Sequence, residues 1–273
     1  MVAIEYISVN GKLTKNCFVP LDEGYIYGYG LFETIKVYNK KIFFFHEHMQ
    51  RFLDACKVLD LDLPCEIDCI KEYCYELINK NKLADSVLRI SLSKGKETNQ
   101  LFITSRNNVY LSTCYEKGFH LDICKYRRNE KSLLVGIKSN NYLENLISLR
   151  NAKSKGYDET IFLNTKDNLC EGSMSNIFFI KNKKVYTPAT DCGLLPGIMR
   201  EKIIDTIVKM QMDCEEGYYK IENLLLAEEV FICNSIMEIM PVSKIIDSTF
   251  RIDKKSITNI IISKFKEKYY YNE

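Results

Sequence analysis

The chain has 273 residues, of which 46% are hydrophobic and 27% are charged, and its formal net charge is +2. This length suits one or two domains, and the composition excludes a disordered or fibrous chain. The near-neutral charge argues against a nucleic-acid partner, and no stretch approaches the roughly 20 apolar residues of a membrane span. The eleven cysteines are scattered singly. We therefore expect free thiols in a reducing cytoplasm, since the chain also begins without a basic, apolar leader.

Two hairpins are predicted near the start of the chain. Side chains alternate from Ile4 to Ser8 and run into Asn10-Gly11, the dipeptide that best suits the positive φ angles of a type I′ turn. A second strand pair is predicted around Asn39-Lys40, with residues 31–38 before the turn and residues 42–45 after it.

The rest of the chain mixes helical and strand periodicity. Helices are predicted at residues 46–59, 67–80, 144–155, 197–212 and 254–268. Strands are predicted at residues 86–93, 101–105, 119–125, 133–137, 159–163 and 176–181. This order indicates an α/β or α+β fold rather than a simple doubly wound sheet. The best boundary lies at Lys117-Gly118, which gives a small α/β domain over residues 1–117 and a larger domain over residues 118–273.

Lys138 is the first residue whose setting points to chemistry. It follows the predicted apolar strand at residues 133–137 and opens the polar turn Ser139-Asn140-Asn141. A partly desolvated amine there would favour the neutral form, which attacks an aldehyde. The same pattern also fits a surface lysine at the end of a strand.

Glu171 and Arg51 are candidates of the same kind. Glu171 follows an apolar run and precedes Gly172 and Ser173, so its carboxylate could keep a pyridine nitrogen protonated, or it could be an exposed turn residue. On the predicted helix at residues 46–59, Arg51 lies away from the polar arc. A buried arginine needs an anion such as phosphate, although a side chain at the edge of the core is the alternative.

Two further segments offer groups that bind anions. Pro196-Gly197 opens the predicted helix at residues 197–212, and the amides at a helix N-terminus face whatever lies in front of them. Cys233-Asn234-Ser235 follows an apolar strand and offers amides and a hydroxyl. Each feature is weak alone, because every helix has an N-terminus.

Together, and in this order, the motifs resemble the class IV (fold type IV) aminotransferase family of pyridoxal-phosphate enzymes. The resemblance runs from about Asp22 to Val242. Its six motifs are Tyr27-Gly28-Tyr29-Gly30-Leu31-Phe32-Glu33-Thr34, the segment from His46 to Arg51, Lys138-Ser139-Asn140-Asn141-Tyr142-Leu143, Glu171-Gly172 with Ser175-Asn176-Ile177-Phe178, Leu195-Pro196-Gly197-Ile198-Met199-Arg200, and the segment from Asn234 to Val242.

The resemblance implies a role for each of seven residues. Lys138 resembles the lysine that carries pyridoxal 5'-phosphate and moves protons, and Glu171 resembles the partner of the pyridine nitrogen. Tyr142 resembles the tyrosine that binds the cofactor's 3-hydroxyl. The implied phosphate contacts are Arg51, Ile198, Met199 and Ser235. The family fold implies a small α/β domain followed by a larger pyridoxal-phosphate-binding domain with a β-barrel-like sheet, and a homodimer is implied as the assembly.

Within the family, the chain resembles the aminodeoxychorismate lyases more than the aminotransferases. Met199 stands where many transaminases have threonine, and residues 232–242 resemble the lyase form of that loop. The loop at residues 94–99 lacks the Arg-x-His motif of D-amino-acid aminotransferases. The implied activity is conversion of 4-amino-4-deoxychorismate to 4-aminobenzoate and pyruvate, a step toward folate. A transaminase of branched-chain or D-amino acids is the alternative, and a scaffold that has lost its chemistry is a third.

Overall fold

The computed structural model describes residues 6–16 and 20–271, and these divide into two compact units. The first unit contains the described residues up to Val109 together with Ile137–Tyr142. The second contains Tyr110–Gly136 and the described residues from Leu143 onward. The prediction placed residues 118–273 in one domain, whereas the structure groups the segment that carries Lys138 with the first unit.

The first unit is an antiparallel sheet with helices packed on it. Its elements are β1 (Ile7–Val9), β2 (Lys12–Thr14), α1 (Glu23–Tyr27), β3 (Gly30–Tyr38), β4 (Lys41–Ile42), α2 (Phe45–Val58), α3 (Ile67–Lys80), β5 (Ser86–Ser93) and β6 (Gln100–Arg106). The strand order is β2-β1-β6-β5-β3-β4. Apolar side chains of α2 and α3, including Met49, Phe52 and Leu77, pack with Leu31 and Ile90 of the sheet in one core.

Both predicted hairpin turns are confirmed. Asn10 and Gly11 have φ angles of 46° and 83°, and Asn39 and Lys40 have φ angles of 49° and 64°. Two successive positive φ values are what a type I′ turn requires. The alternation that starts at Ile4 lies partly outside the described residues.

The second unit is a larger mixed sheet with helices. The strands are β7 (Phe119–Arg128), β8 (Glu159–Asn164), β9 (Leu169–Gly172), β10 (Asn176–Lys181), β11 (Lys184–Pro188), β12 (Cys214–Gly217), β13 (Glu229–Asn234), β14 (Glu238–Ile245) and β15 (Ser248–Thr249). The helices are α4 (Ser112–Lys117), α5 (Leu143–Ser154), α6 (Ile198–Lys209), α7 (Ile221–Leu225) and α8 (Ile257–Lys266). The main strand order is β12-β11-β10-β13-β14-β7-β8-β9, and β15 pairs with β14. The pairs β11·β12, β14·β7 and β7·β8 are parallel.

The predicted mixed α/β class is confirmed, and both sheets are curled. The cysteines among the described residues are free thiols, in agreement with their scattered spacing. In the part of the chain that the structure describes, no helix combines the length and apolarity needed to cross a membrane.

The predicted strand at residues 133–137 is wrong, because most of it forms a turn. Leu133 is 66% exposed, so the run does not present a continuous buried face to a sheet. Regular pairing with the sheet begins at Lys138, whose carbonyl accepts a hydrogen bond from the amide of Phe32 at 2.9 Å. Ser139 forms a bridge with Leu31, and the amide of Asn140 donates to the carbonyl of Gly30. Lys138 is therefore positioned by pairing with β3 and not by a strand that precedes it.

Gly118 provides a test of the fold, because it turns the chain from α4 into β7 with φ 68° and ψ 160°. A Cβ at this position would lie 2.9 Å from the amide nitrogen of Ser243. We expect Gly118→Ala to lower the free energy of unfolding by about 1–3 kcal/mol, the usual cost of a backbone conformation that side chains avoid. Gly136→Ala is the matched control, since nothing lies within 4 Å of its added carbon. Urea denaturation of both variants measures the difference, and equal stability would contradict the strain.

Candidate active site

The side chain of Lys138 lies against two aromatic rings of the first unit. Its Nζ is 4.5 Å from the ring centroid of Phe32 and 5.2 Å from that of Tyr142. The two rings meet edge to face, with centroids 5.2 Å apart. The structure thus brings Lys138 together with Tyr142, and Lys138 is half-buried.

Arg51 lies on α2 with a side chain that is only 16% exposed, and Glu33 of β3 holds it on two sides. Its Nε donates to Oε1 of Glu33 at 2.8 Å, and its Nη2 donates to Oε2 at 2.7 Å. This bidentate contact fixes the plane of the guanidinium. A buried arginine was expected to need an anion, and the carboxylate of Glu33 is one such anion. The sequence had indicated Glu33 only as a member of the first motif.

His48 completes this cluster. Its Nδ1 lies 2.7 Å from Oε2 of Glu33, and both side chains are almost fully buried. Burial alone opposes ionisation of Glu33, but the charge of Arg51 and the contact with His48 hold the pKa of Glu33 far below its usual range. Burial also lowers the pKa of His48, against the attraction of Glu33. His48 is therefore neutral at neutral pH, and its Nδ1 carries the proton because an ionised carboxylate can only accept.

Glu171 lies on β9 in the second unit and is buried, which excludes the exposed turn glutamate considered above. Its Oε2 accepts from the amide of Leu195 at 3.1 Å and from Nδ2 of Asn176 at 3.4 Å. Its Oε1 lies 3.8 Å from Nη2 of Arg128. The carboxylate is thus held by a backbone amide, a side-chain amide and a nearby cation.

Asn176 connects Glu171 to the start of α6. Its Nδ2 also donates to the carbonyl of Leu195 at 2.9 Å. Gly197, the N-cap of α6, passes so close that a Cβ there would lie 2.0 Å from Oδ1 of Asn176. Gly197 must therefore be glycine, because any side chain would collide with Asn176. The amide side chain of Asn176 positions both Glu171 and the N-terminus of α6. Ile198 and Met199 occupy the first turn of α6 and are buried.

The loop that carries Ser235 is tied to the same region by Asn234. Oδ1 of Asn234 accepts from the amides of Ile236 and Met237, both at 2.9 Å, which closes a tight turn. Its Nδ2 donates to the carbonyl of Met174 at 3.0 Å, in the turn that follows Glu171. Ser235 itself is half-buried.

Glu159 on β8 holds that turn in place. Its carboxylate accepts from the amides of Ser173 and Met174, both at 3.0 Å, and also from the hydroxyls of Ser173 and Ser175. Burial raises the pKa of Glu159, while these hydrogen bonds lower it, and the net pKa is above the usual value. Nothing in the sequence marks Glu159 as part of this region, because only the three-dimensional fold brings residue 159 to residues 173–175.

Two arginines were also missed. Arg89 on β5 is exposed, and its Cζ lies 3.7 Å from the ring centroid of Phe32, the ring that Lys138 also contacts. Arg128, at the end of β7, approaches Glu171. An arginine that lies over an aromatic ring or near a buried carboxylate can be recognised only once the contact is known. Neither residue stands out in the periodicity of the chain.

The predicted residues therefore form two groups. In the first unit, Lys138 and Tyr142 share Phe32, and Arg51 lies in the Glu33 cluster. In the second unit, Asn176 connects Glu171 to the segment before α6, and Asn234 connects the loop of Ser235 to the turn that follows Glu171. Cationic and amide donors suit a phosphate, and a buried carboxylate suits a protonated ring nitrogen.

Comparison with known proteins finds similar sequences and a similar solved structure. A sequence model described as amino-transferase class IV matches residues 30–245. An aminodeoxychorismate lyase of Bacillus subtilis is 29% identical over 252 residues, covering 88% of this chain and 86% of the relative. A branched-chain-amino-acid aminotransferase of Escherichia coli is 28% identical over 262 residues, covering 88% of this chain and 85% of the relative. The crystal structure of Escherichia coli branched-chain amino acid aminotransferase aligns with a TM-score of 0.90 at 25% identity, covering 97% of this chain and 95% of that one.

The Glu33 cluster predicts how stability depends on pH. An unfolded histidine takes up a proton below about pH 6.5, whereas the lowered pKa keeps buried His48 neutral to lower pH. The unfolded chain then binds more protons, so the free energy of unfolding falls as pH falls, by up to about 1.4 kcal/mol per pH unit for one group.

We expect His48→Asn to flatten this dependence, since asparagine still donates to Glu33 but does not titrate. His46→Asn, on the exposed side of α2, is the control and should keep the wild-type slope. Chemical denaturation at several pH values between about 7.5 and 5.5, the range in which histidine titrates, provides the comparison. A wild-type slope in His48→Asn would contradict the assignment.

Proposed function

The chain belongs to the class IV aminotransferase family, and from this we propose that it is a lyase that converts 4-amino-4-deoxychorismate to 4-aminobenzoate and pyruvate. The family depends on pyridoxal phosphate. When bound, this cofactor supplies an aldehyde for condensation with an amine and a pyridine ring that takes up an electron pair.

In the proposal, the two groups of residues hold different parts of the cofactor. Arg51, the amides of Ile198 and Met199, and Ser235 bind the phosphate. Glu171 pairs with the ring nitrogen, Tyr142 donates to the 3-hydroxyl, and Lys138 carries the cofactor covalently. Support comes from the planar fixation of Arg51 by Glu33 and from the hydrogen bonds that tie Glu171 to the start of α6.

Lys138 then moves the protons. With the substrate's amine held at the cofactor, Nζ of Lys138 would remove the proton from the ring carbon that bears the nitrogen. The electron pair left behind expels the neighbouring enolpyruvyl oxygen, the ring becomes aromatic, and protonation of the enol carbon gives pyruvate. The nitrogen leaves on 4-aminobenzoate. No external oxidant or amino acceptor is needed.

The observation that carries the lyase assignment is Met199 in the buried first turn of α6. Many transaminases of the family resemble one another in having a threonine here, whose hydroxyl adds a phosphate contact, whereas methionine offers only its amide. A transaminase must retain the aminated cofactor without its covalent link until a keto acid arrives, so it gains from the extra contact. A lyase restores the link to lysine at the end of every turnover.

The runner-up is a transaminase of branched-chain or D-amino acids, supported by the relatives that bear the branched-chain name. The loop at residues 94–99 has no arginine or histidine to trap a carboxylate in the manner of D-amino-acid aminotransferases. That feature favours the lyase over the D-specific alternative.

We expect purified protein with pyridoxal phosphate to convert 4-amino-4-deoxychorismate into equal amounts of 4-aminobenzoate and pyruvate over many turnovers without an added keto acid. Fluorescence of 4-aminobenzoate and coupled detection of pyruvate measure the two products. A reaction that stops after one turnover and resumes with 2-oxoglutarate would favour the transaminase.

Lys138→Ala is the control for this assay. It should form no product above the rate without enzyme and should lose the cofactor adduct that borohydride fixes on the wild type, since one nitrogen provides both the link and the proton transfer. A retained adduct would place the cofactor on a different lysine. Lys125→Ala, on β7, should behave as wild type.

We also propose that the chain forms a homodimer. Around α1, Leu21, Tyr25, Ile26 and Tyr27 are between 58% and 83% exposed, and an apolar patch of this kind marks an interface. Sedimentation velocity should give a dimer at assay concentration, and Ile26→Glu should shift it toward monomer. Leu226→Glu, after α7, is an exposed apolar control that should leave the dimer intact. A wild-type monomer would contradict the proposal.

A further inference from the structure

Arg128 ends β7 in the second unit, and its guanidinium is fixed on two sides. The Cζ atom lies 4.1 Å from the ring centroid of Phe162, so the planar cation rests on an aromatic face. Nη1 donates to Oδ1 of Asn145 at 3.2 Å and lies 3.5 Å from a carboxylate oxygen of Glu144. The side chain is only 10% exposed.

The other two nitrogens of this guanidinium have no hydrogen-bond partner. Nε and Nη2 of Arg128 are buried and donate to no group of the described residues. Burying an unpaired donor costs free energy, and native proteins rarely keep such donors without a reason. If Arg128 served only to pack the core, its Nε and Nη2 donors would be expected to have hydrogen-bond partners.

The nearest anion on this side is Glu171. Nη2 of Arg128 lies 3.8 Å from Oε1 of Glu171, too far for a good hydrogen bond but close for two charges. Both side chains are at most 10% exposed, so water screens their attraction weakly. The contact is therefore electrostatic.

We propose that Arg128 is a positioning residue of the cofactor site, which keeps the proton shared by Glu171 and the pyridine nitrogen on the nitrogen. The inference rests on the proposed pairing of Glu171 with that nitrogen. A proton between a carboxylate and a pyridine can lie on either partner. The charge of Arg128 lies 3.8 Å from the carboxylate, so it favours the ionised carboxylate and would leave the proton on the ring nitrogen.

This placement matters for the chemistry because a protonated ring accepts an electron pair better than a neutral one. Arg128 acts through Glu171 and needs no contact with the substrate. The expected consequence of its loss is a lower kcat with a largely unchanged KM, because the substrate contacts remain.

The direct measurement is the nitrogen-15 chemical shift of ring-labelled pyridoxal phosphate bound to the protein. In the wild type we expect the shift of a protonated ring. In Arg128→Gln and Arg128→Met the shift should move toward the unprotonated value, and in Arg128→Lys, which keeps the charge, it should stay near wild type. We expect kcat to fall about 10-fold or more in the two charge-free variants, as is typical when the partner of a catalytic ligand is lost. Arg127→Gln, the exposed neighbour paired with Asp167, is the control and should change neither quantity.

Two outcomes would overturn the proposal. The first is a protonated ring in both charge-free variants. The second uses the double variant Glu171→Gln with Arg128→Gln, which leaves no buried carboxylate without its cation and should therefore fold more readily than Arg128→Gln alone. In this double variant, the nitrogen-15 shift should equal that of Glu171→Gln alone. A further change would mean that Arg128 acts on the ring directly.

The same measurements separate this inference from the proposed function. A protonated ring in Glu171→Gln alone would show that Glu171 is not the partner of the nitrogen, whatever Arg128 does. The identity of the reaction is decided by the products and not by the chemical shift, so a transaminase would leave the test of Arg128 intact.

Discussion

Within each unit, the main constraint on the structure is that every buried carboxylate must be matched by hydrogen-bond donors or cations. An ionised carboxylate removed from water requires charges or hydrogen bonds to compensate it. Glu33 meets this need with Arg51 and His48, and Glu159 meets it with the amides and hydroxyls of residues 173–175. Arg51 is a proposed phosphate ligand, and residues 173–175 follow Glu171 in the chain, so satisfying each carboxylate also orders residues of the proposed site.

The second unit shows how few side chains this ordering requires. Asn176 bonds both Glu171 and the carbonyl of Leu195, and Asn234 closes its own loop while reaching the carbonyl of Met174. An amide side chain suits this task because it donates and accepts at the same time. Groups proposed to hold the ring nitrogen and the phosphate are thereby fixed to one scaffold, and a change in one amide should disturb both.

Sequence reasoning succeeded where structure is decided locally. The helix predicted at residues 67–80 and the strand predicted at residues 86–93 match α3 and β5, since each buries one periodic face against a core. The failure at residues 133–137 has the opposite cause. An apolar run of that length is ambiguous, and only a partner strand would have made it β. Arg128 and Glu159 escaped notice for a related reason, because their partners are distant in the chain and charge alone says nothing about burial.

The same distinction explains why the family can be recognised more readily than the reaction. Lys138, Glu171 and Arg51 would serve any member, because carrying the cofactor, protonating its ring and binding its phosphate precede the choice of product. The choice depends on what the released electron pair can expel, and hence on a leaving group that the substrate brings. An enzyme is tuned to that outcome by smaller differences, such as a methionine in place of a hydroxyl donor at position 199. In the proposed function, such a residue would change how tightly the cofactor is kept between steps and leave the proton transfers alone, so the features that identify the chemistry and those that select the product would lie at different positions.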